Sequence, residues 1–231
     1  MRGKGITLAA VTGMAGVLQA PASLGYEAGD WLIRGRMVIV EPDENSSTVK
    51  AGGVPLAGGK VGLENDAVPE IDFTYMLSRN WGLELILASS EHDIEGAGTL
   101  GALGGIADAR TLPPTLTLQY HFRPHGAFRP YAGVGVNYTH FFDEDAVSSF
   151  QNGIAGGRAD VDLDDSFGLA AQVGADFAVN ADWFVNVDLK YVQMDTEATI
   201  KTAAPPAGLG KVKVDVEIDP WIFGIGIGRR F

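Results

Sequence analysis

Cysteine is absent from the 231 residues, which excludes a disulfide-stapled secreted module and a zinc ribbon. Basic residues are few: 17 Lys and Arg stand against 29 Asp and Glu, a formal charge of -12. Nucleic acid, whose phosphates need clustered cations, is therefore not an expected partner. Past the N-terminal segment no stretch reaches the ~18 consecutive apolar residues of a transmembrane helix. Long linkers and low-complexity tracts are missing too, and the length fits one domain. No Gly-x-Ser-x-Gly nucleophile signature occurs. Gly58-Gly59-Lys60 lacks the earlier glycine and the strand-to-helix setting of a phosphate loop.

What is present begins with an export signal. Arg2 and Lys4 precede an apolar or small run from Ile6 to Leu18, and Ala20-Pro21-Ala22 offers a small-x-small cleavage site. Residues 1–22 are expected to be a signal peptide, and 23–231 a single outer-membrane barrel. Ala20 and Ala28 remain alternative cleavage points.

The rest alternates with period two in segments of about ten residues. Trp31, Ile33, Met37 and Ile39 alternate with Arg34 and Arg36; Ile71, Phe73, Tyr75 and Leu77 with Glu70, Asp72 and Thr74. Trp81, Leu83, Leu85 and Leu87 interleave with Gly82, Glu84 and Ile86, and Leu116, Leu118, Tyr120 and Phe122 with Thr115, Thr117, Gln119 and His121. The second half repeats the scheme from Ala132 to Tyr138, Phe167 to Phe177 and Trp183 to Tyr191. A last strand is expected to carry Val212, Val214, Val216 and Ile218 into Phe223, Ile225, Ile227 and Phe231.

One face of nearly every segment is apolar while the other mixes carboxylates, amides and glycine. A soluble sandwich would bury the apolar face. Two features favour the inverse. Trp31, Trp81 and Trp183 sit near strand ends, as membrane-interface aromatics do. Connections alternate between short turns (78–80, 123–127, 180–182) and long segments (41–67, 89–111, 142–165, 194–211). The expected fold is all-β: an eight-stranded antiparallel transmembrane β-barrel with short periplasmic turns and long extracellular loops. The terminal Phe231, with Ile227 and Ile225 on its face, is expected to serve as an assembly signal read by the outer-membrane assembly machinery.

The segments Asp72-Phe73-Thr74-Tyr75-Met76, Asn80-Trp81-Gly82-Leu83-Glu84-Leu85, Leu112-Pro113-Pro114-Thr115-Leu116, Arg129-Pro130-Tyr131-Ala132-Gly133-Val134-Gly135 and Asp219-Pro220-Trp221 resemble the outer membrane protein W (OmpW) family, which includes AlkL-like proteins. The resemblance runs in family order from about residue 26 to Phe231. It implies an eight-stranded barrel in the bacterial outer membrane, associated with uptake of small hydrophobic compounds. It also associates the proline motif, here Pro113 and Pro114, with a lateral opening toward the bilayer, and Ile86 with an apolar constriction. Each proline lacks the N–H that a ladder requires; the pair also suits a plain loop-to-strand junction, and both readings stand open.

Ile86 and Phe184 fall on the otherwise polar face, where an apolar side chain suits a lumen. Lys190 stands where some family members carry an aromatic; pointing inward, it would need Glu84, Asp188 or Glu70 as partner. The expected function is passive uptake of small apolar solutes with lateral exit, by a monomer in contact with the lipid bilayer and lipopolysaccharide. The alternative is a surface-interaction barrel with a packed lumen and partner-binding acidic loops. Catalysis, cofactors and metals are not expected. His121 and His125 flank a short turn as solvated residues, His140 has Ser148 and Ser149 nearby without a nucleophile motif, and Asp160–Asp165 lacks the glycine and glutamate of a calcium loop and reads as a plain solvated acidic loop.

Overall fold

The computed structural model describes residues 25–42, 45–46, 50–51, 54–55, 57–63, 66–98, 101–148, 159–202 and 211–231; the expected leader, 1–22, lies outside the described residues. Eight strands form the barrel: β1 (Trp31–Glu41), β2 (Asp66–Met76), β3 (Trp81–Ala88), β4 (Thr115–His121), β5 (Phe128–Ala146), β6 (Ser166–Ala178), β7 (Trp183–Val192) and β8 (Trp221–Arg230). Each pairs antiparallel with the next, and β8 returns to β1 from Leu32↔Arg230 to Glu41↔Trp221. Closure removes the sheet edges, whose unpaired N–H and C=O groups lipid cannot satisfy.

The two faces are inverted relative to a soluble protein. Arg34, Glu84 and Asp176 are fully buried inside, whereas Val134 and Phe167 are 66% and 68% exposed on the outside. Leaving that much apolar surface in water would forfeit roughly 25 cal/mol per Å². The outer face is thus matched to lipid, and the carboxylates and guanidinia fill the interior, as a narrow eight-stranded barrel requires.

Short turns are tied by local side-chain bonds. Ser78 Oγ accepts from the N–H groups of Asn80 (3.3 Å) and Trp81 (3.1 Å). Asn180 Oδ1 accepts from those of Asp182 and Trp183, both at 3.0 Å. These are the local bonds Ser and Asn offer to turns. At the third turn Gly126 adopts φ 94°, a left-handed conformation that glycine takes without steric cost.

At the opposite, extracellular end the long segments are themselves largely strand. Ser90–Gly98 and Gly105–Leu112 form a hairpin that pairs with the upper part of β5 and with Gly59–Leu63. A second sheet is built from Ala159–Leu163, Asp195–Thr202 and Lys211–Glu217, with the short pieces Asn45–Ser46, Lys50–Ala51 and Val54–Pro55. Two expectations change here. The continuous last strand is broken at Ile218–Pro220: Lys211–Glu217 belongs to the upper sheet and only Trp221–Arg230 to the barrel. Asp219 stands at φ 36°, and Pro220 cannot complete a ladder pair. Asp160–Asp165 is not a plain solvated loop, because Val161 is buried on the inner face while Asp160 points outward.

Candidate functional site

The lumen is layered. At mid-height lies an ionic layer carried by alternate residues of several strands. Arg34 donates from Nε and Nη2 to the Asp176 carboxylate (3.2 and 2.9 Å), and from Nη1 to Thr74 Oγ1 (2.6 Å) and Glu84 Oε1 (3.1 Å). Arg36 donates to Asn186 Oδ1 (3.0 Å) and Asp188 Oδ2 (2.7 Å), and stands 2.8 Å from Glu70 Oε1 and 2.7 Å from Asp72 Oδ2. Glu84 also accepts from Thr117 (3.2 Å), Gln119 (2.6 Å) and Gln172 (2.7 Å). A buried charge is tolerated only when it is paired and hydrogen-bonded to this degree.

Glycines make the room. A Cβ at Gly224 would lie 2.2 Å from Asp188 Oδ1, and one at Gly228 would lie 2.3 Å from the Phe184 ring. Between Ile222 and Arg230 the inner face of β8 carries only Gly224, Gly226 and Gly228, so that side chains from β7 can cross the lumen.

Below the ionic layer, toward the short turns, Tyr26, Leu32, Met76 and Phe184 form a buried plug. Tyr26 donates its hydroxyl to Asp176 Oδ2 at 2.8 Å. Its ring packs edge-on to His121 at 5.3 Å and to Phe184 at 6.3 Å. His121 is therefore fully buried in the lumen and not a solvated turn residue; its place on the inward side of the alternation was the available signal.

Above the ionic layer the interior changes character. Val38, Ile86, Ile106, Phe141, Val161, Met194, Ile200, Val214, Val216 and Ile218 surround an open-mouthed funnel. Its atom-free space is about 1280 Å³, the mouth included. The inner faces of both upper sheets supply most of this lining. Glu70, Lys190, Asn137 and Thr115 form the floor, tied by hydrogen bonds: Lys190 Nζ donates to Glu70 (2.6 Å) and Asp188 (3.2 Å), and Asn137 Nδ2 to Thr115 Oγ1 (2.8 Å).

The funnel meets a lapse in the wall just above that floor. The β3–β4 ladder runs from Trp81↔Tyr120 to Ile86↔Thr115, and the strands above resume at Ser90↔Thr111 in unchanged register. Between them Leu87, Ala88 and Ser89 face Pro114, Pro113 and Leu112 without pairing. Odd-numbered residues of β4 turn their N–H toward β3, as His121 does to Asn80 O at 2.7 Å. The N–H that Pro113 lacks is the one that would cross to Ala88. On its other side this segment stays attached, since Tyr138 N–H donates to Pro114 O at 3.1 Å. Ala88 and Pro113 both line the funnel.

The sequence-selected residues fall at several levels. Pro113 and Pro114 border the lapse; Ile86 and Lys190 sit at the funnel floor. Glu84 lies in the ionic layer, bound to Arg34 and not to Lys190, and Phe184 lies in the plug below. Ile86 and Phe184 are thus not neighbours. Trp31, Trp81 and Trp183 are exposed at the turn end, beside Tyr75 (5.1 Å), Tyr120 (4.9 Å) and the Arg229 guanidinium (5.5 Å). Phe231, Ile227 and Ile225 are all exposed on the outer surface. On the outside near the extracellular end, Asp165 accepts from the Tyr138 hydroxyl (2.5 Å) and faces His140 Nδ1 (2.8 Å). Ser149 lies outside the described residues, and Ser148 is exposed.

The family model "OmpW family" matches residues 27–231. The chain is 36% identical over 229 residues to outer membrane protein W of Vibrio cholerae serotype O1, covering 97% of this chain and 99% of that one. It is 28% identical over 227 residues to outer membrane protein AlkL of Ectopseudomonas oleovorans, covering 97% and 92%. Its fold is similar to the crystal structure of OprG from Pseudomonas aeruginosa, with a TM-score of 0.83, 41% identity and coverage of 90% and 98%.

Proposed function

The chain belongs to the OmpW family of bacterial outer-membrane barrels, and on that premise we propose that it is a passive conduit taking small apolar solutes from outside the cell into the outer membrane. A solute sheds its water on the aliphatic funnel wall, which contributes roughly 25 cal/mol per Å² of apolar surface removed from water. It descends to the floor at Ile86 and Lys190. There the axis is closed, because passage would require parting the buried Arg36 pairs with Glu70, Asp72 and Asp188. The route of least resistance is sideways, between Ala88 and Pro113, where no ladder has to break.

One observation carries this reading: an apolar funnel ends on an ion-paired floor beside an unpaired stretch of wall. Outside the lapse Leu112 and Leu116 are exposed, so an emerging solute meets apolar side chains and then acyl chains. In the same reading residues 1–22 are a cleaved leader, Trp31, Trp81 and Trp183 mark the periplasmic interface, and Phe231 with Ile227 and Ile225 addresses the chain to the assembly machinery.

The test compares uptake of a naphthalene-like dye into vesicles carrying the native barrel or Pro113→Ala/Pro114→Ala, at equal folded amounts. The double variant supplies the missing N–H groups. Native uptake that is lost in the variant supports conduit and exit together. Equal uptake by both discards the lateral exit, and no uptake by either leaves a packed surface barrel.

A further inference from the structure

The funnel floor sets two spare hydrogen-bonding groups against an otherwise aliphatic space. An ammonium carries three N–H donors and no acceptor. Lys190 Nζ uses two of them, on Glu70 Oε1 at 2.6 Å and on Asp188 Oδ2 at 3.2 Å. The Glu70 carboxylate is engaged through Oε1, which Lys190 shares with Arg36 Nε at 2.8 Å. Among the described residues neither the third Lys190 N–H nor Glu70 Oε2 has a protein partner. Oε2 is not sealed in the wall as Asp188 Oδ1 is, and both Glu70 and Lys190 border the funnel.

A donor and an acceptor left over on one ion pair make a place for one hydroxyl group. Its oxygen accepts from Nζ and its hydrogen goes to Oε2; Nζ lies 2.6 Å from the other oxygen of that carboxylate, so a single group reaches both. Around the pair the wall is aliphatic, with Val38, Ile86, Val214 and Ile218. A hydroxyl entering such a space gives up its water at a cost unless a partner replaces it, and this floor supplies one. A hydrocarbon seated there separates the same two groups from water and returns nothing.

Charge narrows the class further. Within the cluster Arg36 and Lys190 are set against Glu70, Asp72 and Asp188, so no surplus positive charge remains for an anion. A carboxylate end would stand unpaired beside Glu70, whereas a neutral hydroxyl would not.

We propose that Lys190 and Glu70 form a polar anchor that selects apolar solutes ending in a neutral hydroxyl, aliphatic alcohols and phenols, over hydrocarbons and fatty acids. The solute stands hydroxyl-down, with its chain along the funnel wall. This rests on the conduit reading above and names the solute class that the conduit prefers.

The test is competition against the naphthalene-like dye in vesicles, with octane, octanol and octanoate as competitors. Each also dissolves in the bilayer, so the readout is the octanol-over-octane preference in the native protein divided by that in Lys190→Met, a quotient from which lipid partition cancels. It should be about ten, the low end for a hydrogen bond to a charged group, and the same quotient for octanoate should stay near one. Because Lys190→Met weakens the fold, a second measurement uses the native protein alone. In nuclear Overhauser spectra with octanol, the hydroxyl-bearing methylene should contact Lys190 and Thr115, and the terminal methyl Val214. A quotient near one for octanol, one as large for octanoate, or a terminal methyl against Lys190 overturns the anchor and leaves the conduit standing. No competition by any of the three overturns conduit and anchor together.

Discussion

Lys190 Nζ lies 2.6 Å from Glu70 Oε1 at the boundary between the aliphatic funnel and the ionic layer, and both side chains are almost fully buried. Removing the cation leaves Glu70 and Asp188 to Arg36 alone. Lys190→Met is expected to lower stability by about 3 kcal/mol, at the low end for a broken buried pair because Arg36 remains. The measurement is the urea midpoint of the folded band, followed by heat-modifiable electrophoretic mobility. An unchanged midpoint would show that the pair contributes nothing to holding the floor.

Gly228 and Phe184 test the fit of the plug. A Cβ on Gly228 would sit 2.3 Å from the ring, so Gly228→Ala should cost about 1–3 kcal/mol by overpacking. Phe184→Leu in the same chain should recover part of that loss. If the double variant is as unstable as the sum of the singles, the two side chains are not competing for one space.

Asp165 carries a pH dependence. The Tyr138 hydroxyl donates to its carboxylate and His140 lies against it, and together they hold its pKa below the usual carboxylate value. A depressed folded pKa means stabilisation that is present above the unfolded value of about 3.9 and disappears as pH falls through the folded value. The mobility of this outer corner, read by hydrogen exchange at Asp165–Phe167, should rise below about pH 4. Asp165→Asn should show the raised mobility at all pH values; a variant still responding to acid would place the effect elsewhere.

Val214 is buried in the funnel wall on the strand Lys211–Glu217, above the barrel proper. Val214→Asp puts a hydrated carboxylate on the path of an apolar solute and should slow dye uptake about tenfold, the equivalent of ~1.4 kcal/mol on the barrier. The folded yield should hold, because the strand stands outside the closed ladder. Uptake at the native rate would mean that solutes bypass the funnel.

The barrel was legible because alternation is a direct readout of a wall with two solvents: Trp81, Leu83 and Leu85 face out and Glu84 and Ile86 face in, as their order in the chain requires. The partners inside were not legible. That Lys190 pairs with Glu70 and Asp188 while Glu84 belongs to Arg34 depends on strand tilt and stagger, which no single strand encodes. The funnel was hidden for another reason. Val161 and Ile200 also have polar or charged neighbours, but their segments lie in stretches long enough to pass for loops, while Val214 and Val216 read as the start of the last barrel strand. The strand break at Asp219 was invisible, because an aspartate ahead of a proline reads as any turn until its N–H is seen to bond Met194 O.

The unpaired stretch at Pro113 uses the same number of residues on both strands, so the pair that separates at Ile86↔Thr115 rejoins at Ser90↔Thr111 still in phase. Odd positions face inward on both sides of it, Thr115 and Thr117 below and Thr111 and Ala109 above. Inserting or deleting one residue there would invert everything beyond, turning the hairpin's apolar lining out to water and its charged face into the funnel. The length of this segment is therefore under tighter constraint than its composition: substitutions at the lapse tune a passage, whereas a change of one in its count dismantles the vestibule above it.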